Sequence, residues 1–593
     1  METLVDLLEH ACETYRKPDA LQVKRNGVYQ PISSQELQES VQQAGAGLAA
    51  LGLKKGDRVA LLSENRPEWA ISDQGILSIG AINVPFYATL PAAQIAELLL
   101  DSEASAIIVS NQLQLEKVLS IASRIPSLRQ IVVMDAERIA PQQAMPFSTL
   151  LETGRAALQE NQAAFEALRR QVHAGDVASI IYTSGTTGVP KGVMLTHRNI
   201  VTNVLDTAEA FDLSVSDVTL SFLPLCHIFQ RTVDYLMLYQ GVSIAYAENF
   251  ETVPKNMQEV RPTVVSSVPR FFEKMYARIN EAMRSSPPKK QKLMAWALAA
   301  GKDYSRRVIN KEAVPGLLKL KHALAERLVF SKLREKLGGR LRFFISGGAP
   351  LDKELADFFF SVGVMILEGY GLTETSPVIA VNRRHSFKLG TVGQALRHVE
   401  VKIAEDGEIL TRGPAVMLGY YKREAETREV MAGGWFHTGD IGSLDEDGFL
   451  KITDRKKDLI VTASGKNVAP QKIEGMLKTN PYFVNVVAIG DKRPFISALV
   501  VPNADKVKAQ ADSMGLNSGS YTDLLRSAPV KEFLLAQIQS STPDLAPFEQ
   551  VKRIQLLEND FTIAASELTP TMKIRRRFVE AKYKDLIDEI YAN

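Results

Sequence analysis

Cysteine is almost missing from this chain: Cys12 and Cys226 are the only two in 593 residues. Two cysteines build neither a disulfide framework nor a cysteine-based zinc site, and their scarcity suits a reducing compartment. Long apolar runs are missing too. The longest stretch without charge, Gln74 to Ala96, is broken by Gly75, Gly80, Pro85 and Pro91, so it reads as buried strand and helix rather than a membrane span. The opening residues Met1 to Asp6 lack a basic region followed by an apolar core, and no signal peptide is expected. Internal repeats and extended low-complexity tracts are absent. What remains is the composition of a globular chain, 45% hydrophobic and 23% charged, with too many residues for one core. About three to five compact units and a cytoplasmic location are expected.

Net charge is also slight, +2, but it is unevenly placed. Between Arg284 and Arg340 stand 15 Lys/Arg and 4 Asp/Glu, an excess of +11 that leaves about −9 for the rest of the chain. The segment reads as helical, with Trp296, Leu317, Leu318, Leu320, Leu324, Leu328, Val329 and Leu333 among its cations. A solvated helical hairpin would explain it. So would a surface that meets anionic membrane or an acidic cofactor, placing the protein peripherally on the inner face. No nucleic-acid partner is expected.

The first 180 or so residues alternate strand-like and helix-like segments, the pattern of a largely parallel sheet covered by helices. Strands are expected at Arg58–Leu62, Ala104–Val109 and Gln130–Met134, and helices at Gln35–Leu51 and Leu113–Ala122. A second series follows, with strands at Leu220–Leu223, Val242–Tyr246, Thr263–Ser267, Arg342–Ile345 and Val364–Leu367. From about Leu389 to Thr453 the texture becomes short strands and Gly/Asp turns, as in a small β-barrel or sandwich. After Asp454-Arg455-Lys456-Lys457-Asp458 comes an α+β tail.

The densest chemistry lies in Tyr182-Thr183-Ser184-Gly185-Thr186-Thr187-Gly188-Val189-Pro190-Lys191-Gly192, directly after the apolar run Val177–Ile181. Glycines let backbone N–H groups approach a ligand, hydroxyls add donors, and Lys191 adds charge, a combination suited to a polyphosphate. It is not a Walker A loop, since no Gly-Lys-Ser/Thr follows at the required spacing. A strand end is the usual ligand position in such sheets.

This loop resembles the phosphate loop of the AMP-forming adenylate synthetases, the acyl-CoA synthetase and luciferase superfamily. Further stretches resemble the same family in the same order. Gly347-Gly348-Ala349-Pro350 offers a flat surface for a base. Tyr370-Gly371-Leu372-Thr373-Glu374-Thr375 groups an aromatic ring, a hydroxyl and a carboxylate. The resemblance implies that Tyr370 stacks on adenine, that Thr373 contacts the α-phosphate, and that Glu374, with Thr186 of the loop, serves Mg²⁺. Asp440, in Trp435-Phe436-His437-Thr438-Gly439-Asp440, resembles the acceptor of both ribose hydroxyls, and Asp454-Arg455 the second ribose contact. Lys457 falls at the family's hinge, and the loop around Gly465 would help form the coenzyme A tunnel. Lys573, in Leu568-Thr569-Pro570-Thr571-Met572-Lys573, resembles the terminal catalytic lysine. His227, in Leu223-Pro224-Leu225-Cys226-His227-Ile228-Phe229-Gln230-Arg231, would sit beside the reacting carboxylate and the thiol tunnel.

The wording of several motifs looks like the long-chain fatty-acid–CoA ligases. One departure stands out: some of these carry tryptophan four residues after the histidine as a gate to the acyl tunnel, and here that residue is Arg231. The resemblance thus implies an α/β protein with a large N-terminal domain, 1–455, of two βα sheets and a small β-barrel. A mobile α+β domain, 456–593, follows. The activity implied is activation of a fatty acid by ATP and Mg²⁺ and its transfer to coenzyme A, and a homodimer is compatible with it. Two other readings stay open at this level: a ligase that loads a carrier protein, and a non-catalytic acyl-nucleotide binding or trafficking protein. The joint presence of Lys191, Glu374, Asp440, Arg455 and Lys573 speaks against the second.

Overall fold

The structure is a computed structural model and describes residues 1–135, 143–183, 190–478, 480–516, 520–562, 565–569 and 574–592. Among the described residues the strands build two large sheets, a smaller antiparallel one, a two-stranded hairpin, and a separate C-terminal sheet. The first large sheet runs, edge to edge, Gly419–Tyr420, Lys191–Thr196, Val177–Thr183, Ile82–Phe86, Arg58–Leu62, Ala106–Val109, Gln130–Val133, Met145–Pro146. The second runs Gln394–Ala395, Val378–Val381, Ile366–Gly371, Phe343–Ser346, Val264–Ser267, Val218–Ser221, Ser243–Tyr246, Leu21–Arg25, Val28–Ile32. The central strands of both are parallel, as βα alternation requires. Expected strands and observed ones agree to within two residues at their ends, apart from Ile366–Gly371, which runs four residues past the expected Leu367.

Helix starts are encoded locally. Ser33 and Glu36 form a reciprocal capping box that opens the helix Ser34–Ala50, and Thr196 with Asn199 does the same for His197–Ala208. The latter helix begins as the strand Lys191–Thr196 ends, so the hairpin carrying the phosphate-loop motif leads straight into it.

The β-rich part is a four-stranded antiparallel sheet of Glu400–Ile403, Glu408–Arg412, Phe436–Leu444 and Leu450–Arg455. A bridge between Gln394 and Phe449 joins it to the second large sheet, and together they enclose Tyr370, Ile379, Ile409 and Leu450. Beyond it, Phe483–Ile489, Ile496–Pro502 and Val551–Leu556 form the C-terminal sheet with its own cores. The basic segment is helical, as expected: Pro288–Ile309, then Gly316–Ala325, a π-turn Glu326–Phe330 and Ser331–Glu335. Among the described residues no helix is long and apolar enough to cross a membrane.

Candidate active site

In the second large sheet, Ser221, Ser267, Ser346 and Gly371 end parallel strands at the same edge. Three motifs leave the sheet there: Leu223–His227, Gly347–Pro350 and Tyr370–Thr375. That edge is where open α/β sheets bind ligands, because the strands stop and their loops diverge. Gly348, Ala349 and Pro350 are exposed, and Gly348 has φ +79°. Gly371 meets the Pro377 carbonyl so closely that a Cβ would lie 1.8 Å from its oxygen, so no larger residue fits.

In the first sheet the loop motif bridges two antiparallel strands, with Thr183 paired to Lys191. Ser184, Gly185, Thr186, Thr187 and Gly188 lie outside the described residues, and so does Lys573. Lys191 is brought to Glu374 by a tyrosine that sequence reasoning missed. Tyr420 donates its hydroxyl to Glu374 Oε1 at 2.9 Å, and Lys191 Nζ sits 5.1 Å from the centre of the same ring. A cation over a ring face and a carboxylate at its hydroxyl place opposite charges at two ends of one rigid side chain. Glu374 is half-buried, and desolvation raises its pKa, a cost that a bound cation would relieve.

Two asparagines explain why these groups meet. Asn199 donates to the carbonyls of Pro414 and Val416, 2.7 and 2.9 Å. Asn203 donates to Val378 O at 2.8 Å and accepts from Val378 N at 3.1 Å. The helix after the phosphate-loop hairpin thereby holds both the segment leading to Tyr420 and the strand after Glu374. The available signal was two buried asparagines one helical turn apart, polar residues on a core-facing stripe.

A second cluster forms on the four-stranded sheet. Asp440 pairs in register with Arg455; Arg455 Nε lies 3.4 Å from Oδ1, and Tyr370 donates to Oδ2 at 2.7 Å. Tyr370, Asp440 and Thr373 are all buried. Beside them, Lys456 is tied to Asp406 and Glu408, 2.6 and 2.9 Å, so the chain is anchored up to the residue before Lys457, which is exposed. Gly465 has φ +75° in the turn joining Ile460–Val461 to Asn467–Val468. Its N–H bonds Thr462 O at 2.8 Å, within its own hairpin.

His227 caps the helix Ile228–Tyr239, its Nδ1 accepting from Phe229 N at 3.1 Å. Arg231, one turn further on, is enclosed in the core. It is 1% exposed and ion-paired with Asp73, itself 1% exposed. Its Nε donates to Tyr235 Oη at 2.8 Å and its Nη1 to Ser179 Oγ at 2.8 Å. Asp73 also accepts from Asn83 at 2.6 Å. The residue at the gate position is thus a core tie between helices Pro67–Ser78 and Ile228–Tyr239.

Comparison with known proteins places the chain in a family. Residues 8–421 match the family described as AMP-binding enzyme, and residues 457–593 match the AMP-binding enzyme C-terminal domain. Long-chain-fatty-acid–CoA ligase FadD15 of Mycobacterium bovis is 36% identical over 95% of this chain and 93% of its own length. Long chain acyl-CoA synthetase 7, peroxisomal, of Arabidopsis thaliana is 34% identical over 100% and 86%. In fold, the chain is similar to the anthranilate CoA ligase AuaEII in complex with anthranoyl-AMP, with TM-score 0.74, 22% identity, and 99% and 98% of the two chains covered. It is equally similar to the A domain of carboxylic acid reductase from Segniliparus rugosus, at TM-score 0.74, 21% identity, and 100% and 94% coverage. With the matched residues spanning most of its length, the chain belongs to the AMP-binding enzyme family.

Proposed function

We propose that this protein activates a long-chain fatty acid with ATP and transfers the acyl group to coenzyme A, yielding acyl-CoA, AMP and pyrophosphate. The observation that carries this reading is the Lys191–Tyr420–Glu374 cluster standing with Tyr370–Asp440–Arg455 where strand Ile366–Gly371 ends. One cluster suits phosphates and the other a ribose. The full-length likeness to long-chain ligases supports the substrate class.

A carboxylate is a poor electrophile, and joining it to AMP supplies a good leaving group. In the first half-reaction a carboxylate oxygen attacks the α-phosphorus of ATP, and the bond to pyrophosphate breaks. Lys191 and the loop hydroxyls of Thr183, Ser184, Thr186 and Thr187 hold the departing pyrophosphate, with Gly185 and Gly188 giving close backbone approach. Thr373 and Lys573 meet the α-phosphate. Catalysis of this kind is positioning and charge neutralisation. Asp440 and Arg455 hold the ribose, and Tyr370, Gly371, Gly348, Ala349 and Pro350 border the adenine. Magnesium prefers one or two carboxylates plus phosphate oxygens. Glu374, with one oxygen already held by Tyr420, fits that donor set together with Thr186. Bound there, the ion would neutralise charge on the transferring phosphates.

In the second half-reaction the coenzyme A sulfur attacks the acyl carbonyl and AMP leaves; His227 and Gly465 border the thiol's approach. The N-terminal domain would be 1–455 and the mobile one 456–593, pivoting at Lys457, just past the anchored Lys456. The reading also includes peripheral contact of residues 284–340 with anionic membrane, and a homodimer.

Pyrophosphate release measured over a ladder of fatty acids, with and without coenzyme A, tests it. Each buried CH₂ is worth ~0.8 kcal/mol, so specificity should climb about fourfold per methylene towards chains of about twelve to eighteen carbons. Faster turnover of acetate or coumarate than of palmitate would remove the substrate class. Pyrophosphate release with no thioester on free coenzyme A would point to a carrier-protein acceptor instead.

A further inference from the structure

We propose that the helical run 316–335 is a membrane-surface helix that seats this protein on anionic phospholipid through a leucine stripe bordered by cations. Leu317, Leu320, Leu324 and Leu328 are exposed by 66, 60, 46 and 43%. Their spacing puts them along one side of the helix Gly316–Ala325 and the π-turn that continues it. The opposite side is not free to roll outward. Leu318, Ala325, Val329 and Phe330 are buried, the last three in a core that includes Phe272, Phe344 and Phe359. The leucines are therefore held towards solvent by well-packed neighbours.

By helical spacing Lys321 and Arg327 flank the stripe, and further cations stand on the same run. Lys319, Lys321, Arg327, Lys332 and Lys336 are all exposed. Among the described residues none of the five makes an ion pair, whereas Lys24 elsewhere holds both Glu248 and Glu259. Of the acidic residues on the run, Glu326 is taken up by Arg334, and Glu335 is exposed. At 1.5 Å per residue the run is about 30 Å long, within the usual length of helices that lie in the headgroup plane.

Charge and apolarity together select the occupant. A second copy of this chain would bring like charges face to face along the stripe. A free polyanion would use the cations but leave the leucines in water. An anionic bilayer satisfies both, taking the leucines below the headgroups while the cations meet phosphate. The purpose rests on the proposed ligase reading, since a long-chain acid resides in bilayers, but the binding does not.

The test is co-sedimentation of the full chain with phosphatidylglycerol–phosphatidylcholine vesicles and with phosphatidylcholine alone, at low and high salt. Acyl-CoA formation from dissolved laurate is followed in parallel. The wild type should bind the anionic vesicles, less so as salt rises. Lys321→Glu/Arg327→Glu/Lys332→Glu should lose two orders of magnitude in partitioning or more, at about fivefold per cation removed. Leu320→Ser/Leu324→Ser, on exposed positions, should lose roughly tenfold while keeping every cation. Laurate turnover should be unchanged in both variants. Equal or negligible binding of the wild type to both vesicles overturns the proposal. So does a leucine variant that binds as well as the wild type, or one that only converts a dimer to monomer. Absence of acyl-CoA formation in the wild type would sink the ligase reading and leave the vesicle result to stand alone.

Discussion

Replacing Arg231 tests whether the residue at the tunnel-gate position packs the core or faces substrate. Arg231 and Asp73 are each 1% exposed. The guanidinium spends its donors on Asp73, Tyr235 and Ser179, and the carboxylate accepts from Asn83 and Tyr235 as well. Removing Arg231 leaves a buried carboxylate without its cation, and one-sided removal of such a partner costs about 3–5 kcal/mol. Coulomb attraction of about 4 kcal/mol for charges 4 Å apart at an effective dielectric of about 20 gives the same scale. Replacing both partners by apolar residues of similar volume should be close to neutral. Arg231→Met and Asp73→Leu should therefore each lower urea stability by about 3–5 kcal/mol, and the double variant should recover most of it. The pyrophosphate assay over the fatty-acid ladder completes the measurement: relative kcat/KM between chain lengths should stay as in the wild type. An Arg231→Met protein of normal stability with a shifted chain-length preference would refute the reasoning and return the side chain to the acyl path.

Asp440→Asn keeps an acceptor for Tyr370 but loses the charge facing Arg455. A charged acceptor is worth ~1.5–3 kcal/mol, so ATP affinity should fall by about ten- to a hundredfold; unchanged binding by calorimetry would take the ribose away from Asp440. Lys573→Ala should lose adenylation yet still convert supplied acyl-AMP to thioester. Lys457→Pro fixes φ at the pivot and should do the reverse. Loss of the same half-reaction in both single-turnover assays would exclude a rotating C-terminal domain. His197 is buried, accepts from Leu4 N at 3.2 Å, and burial pulls its pKa down to about 4. The unfolded chain takes up this proton near the ordinary value and the folded chain does not. Stability is therefore complete above about pH 6.5 and falls as pH drops towards 4, by about 3 kcal/mol. His197→Gln should flatten that limb in urea titrations at pH 7.5 and 5; an unchanged slope would assign the acid sensitivity to other groups.

Much of this protein is legible along the chain. Strands such as Arg58–Leu62 and helices such as Ser34–Ala50 follow from local apolar patterning and from caps like Ser33 with Glu36, which act within a few residues. The motifs at Thr183–Lys191, Tyr370–Glu374 and Asp440 announce their chemistry because each is short and contiguous. What the tertiary structure alone decided are the partnerships across distance. Tyr420 reaches Glu374 from 46 residues away, Tyr370 reaches Asp440 from 70, and Arg231 reaches Asp73 from 158. No local period encodes such meetings; they arise when helix and sheet faces close a core and buried polar groups must find partners there. Arg231 shows the consequence. In sequence it occupies the place of a gate, and in the fold its charge is taken up by Asp73, because a buried cation is tolerable only beside its counter-charge.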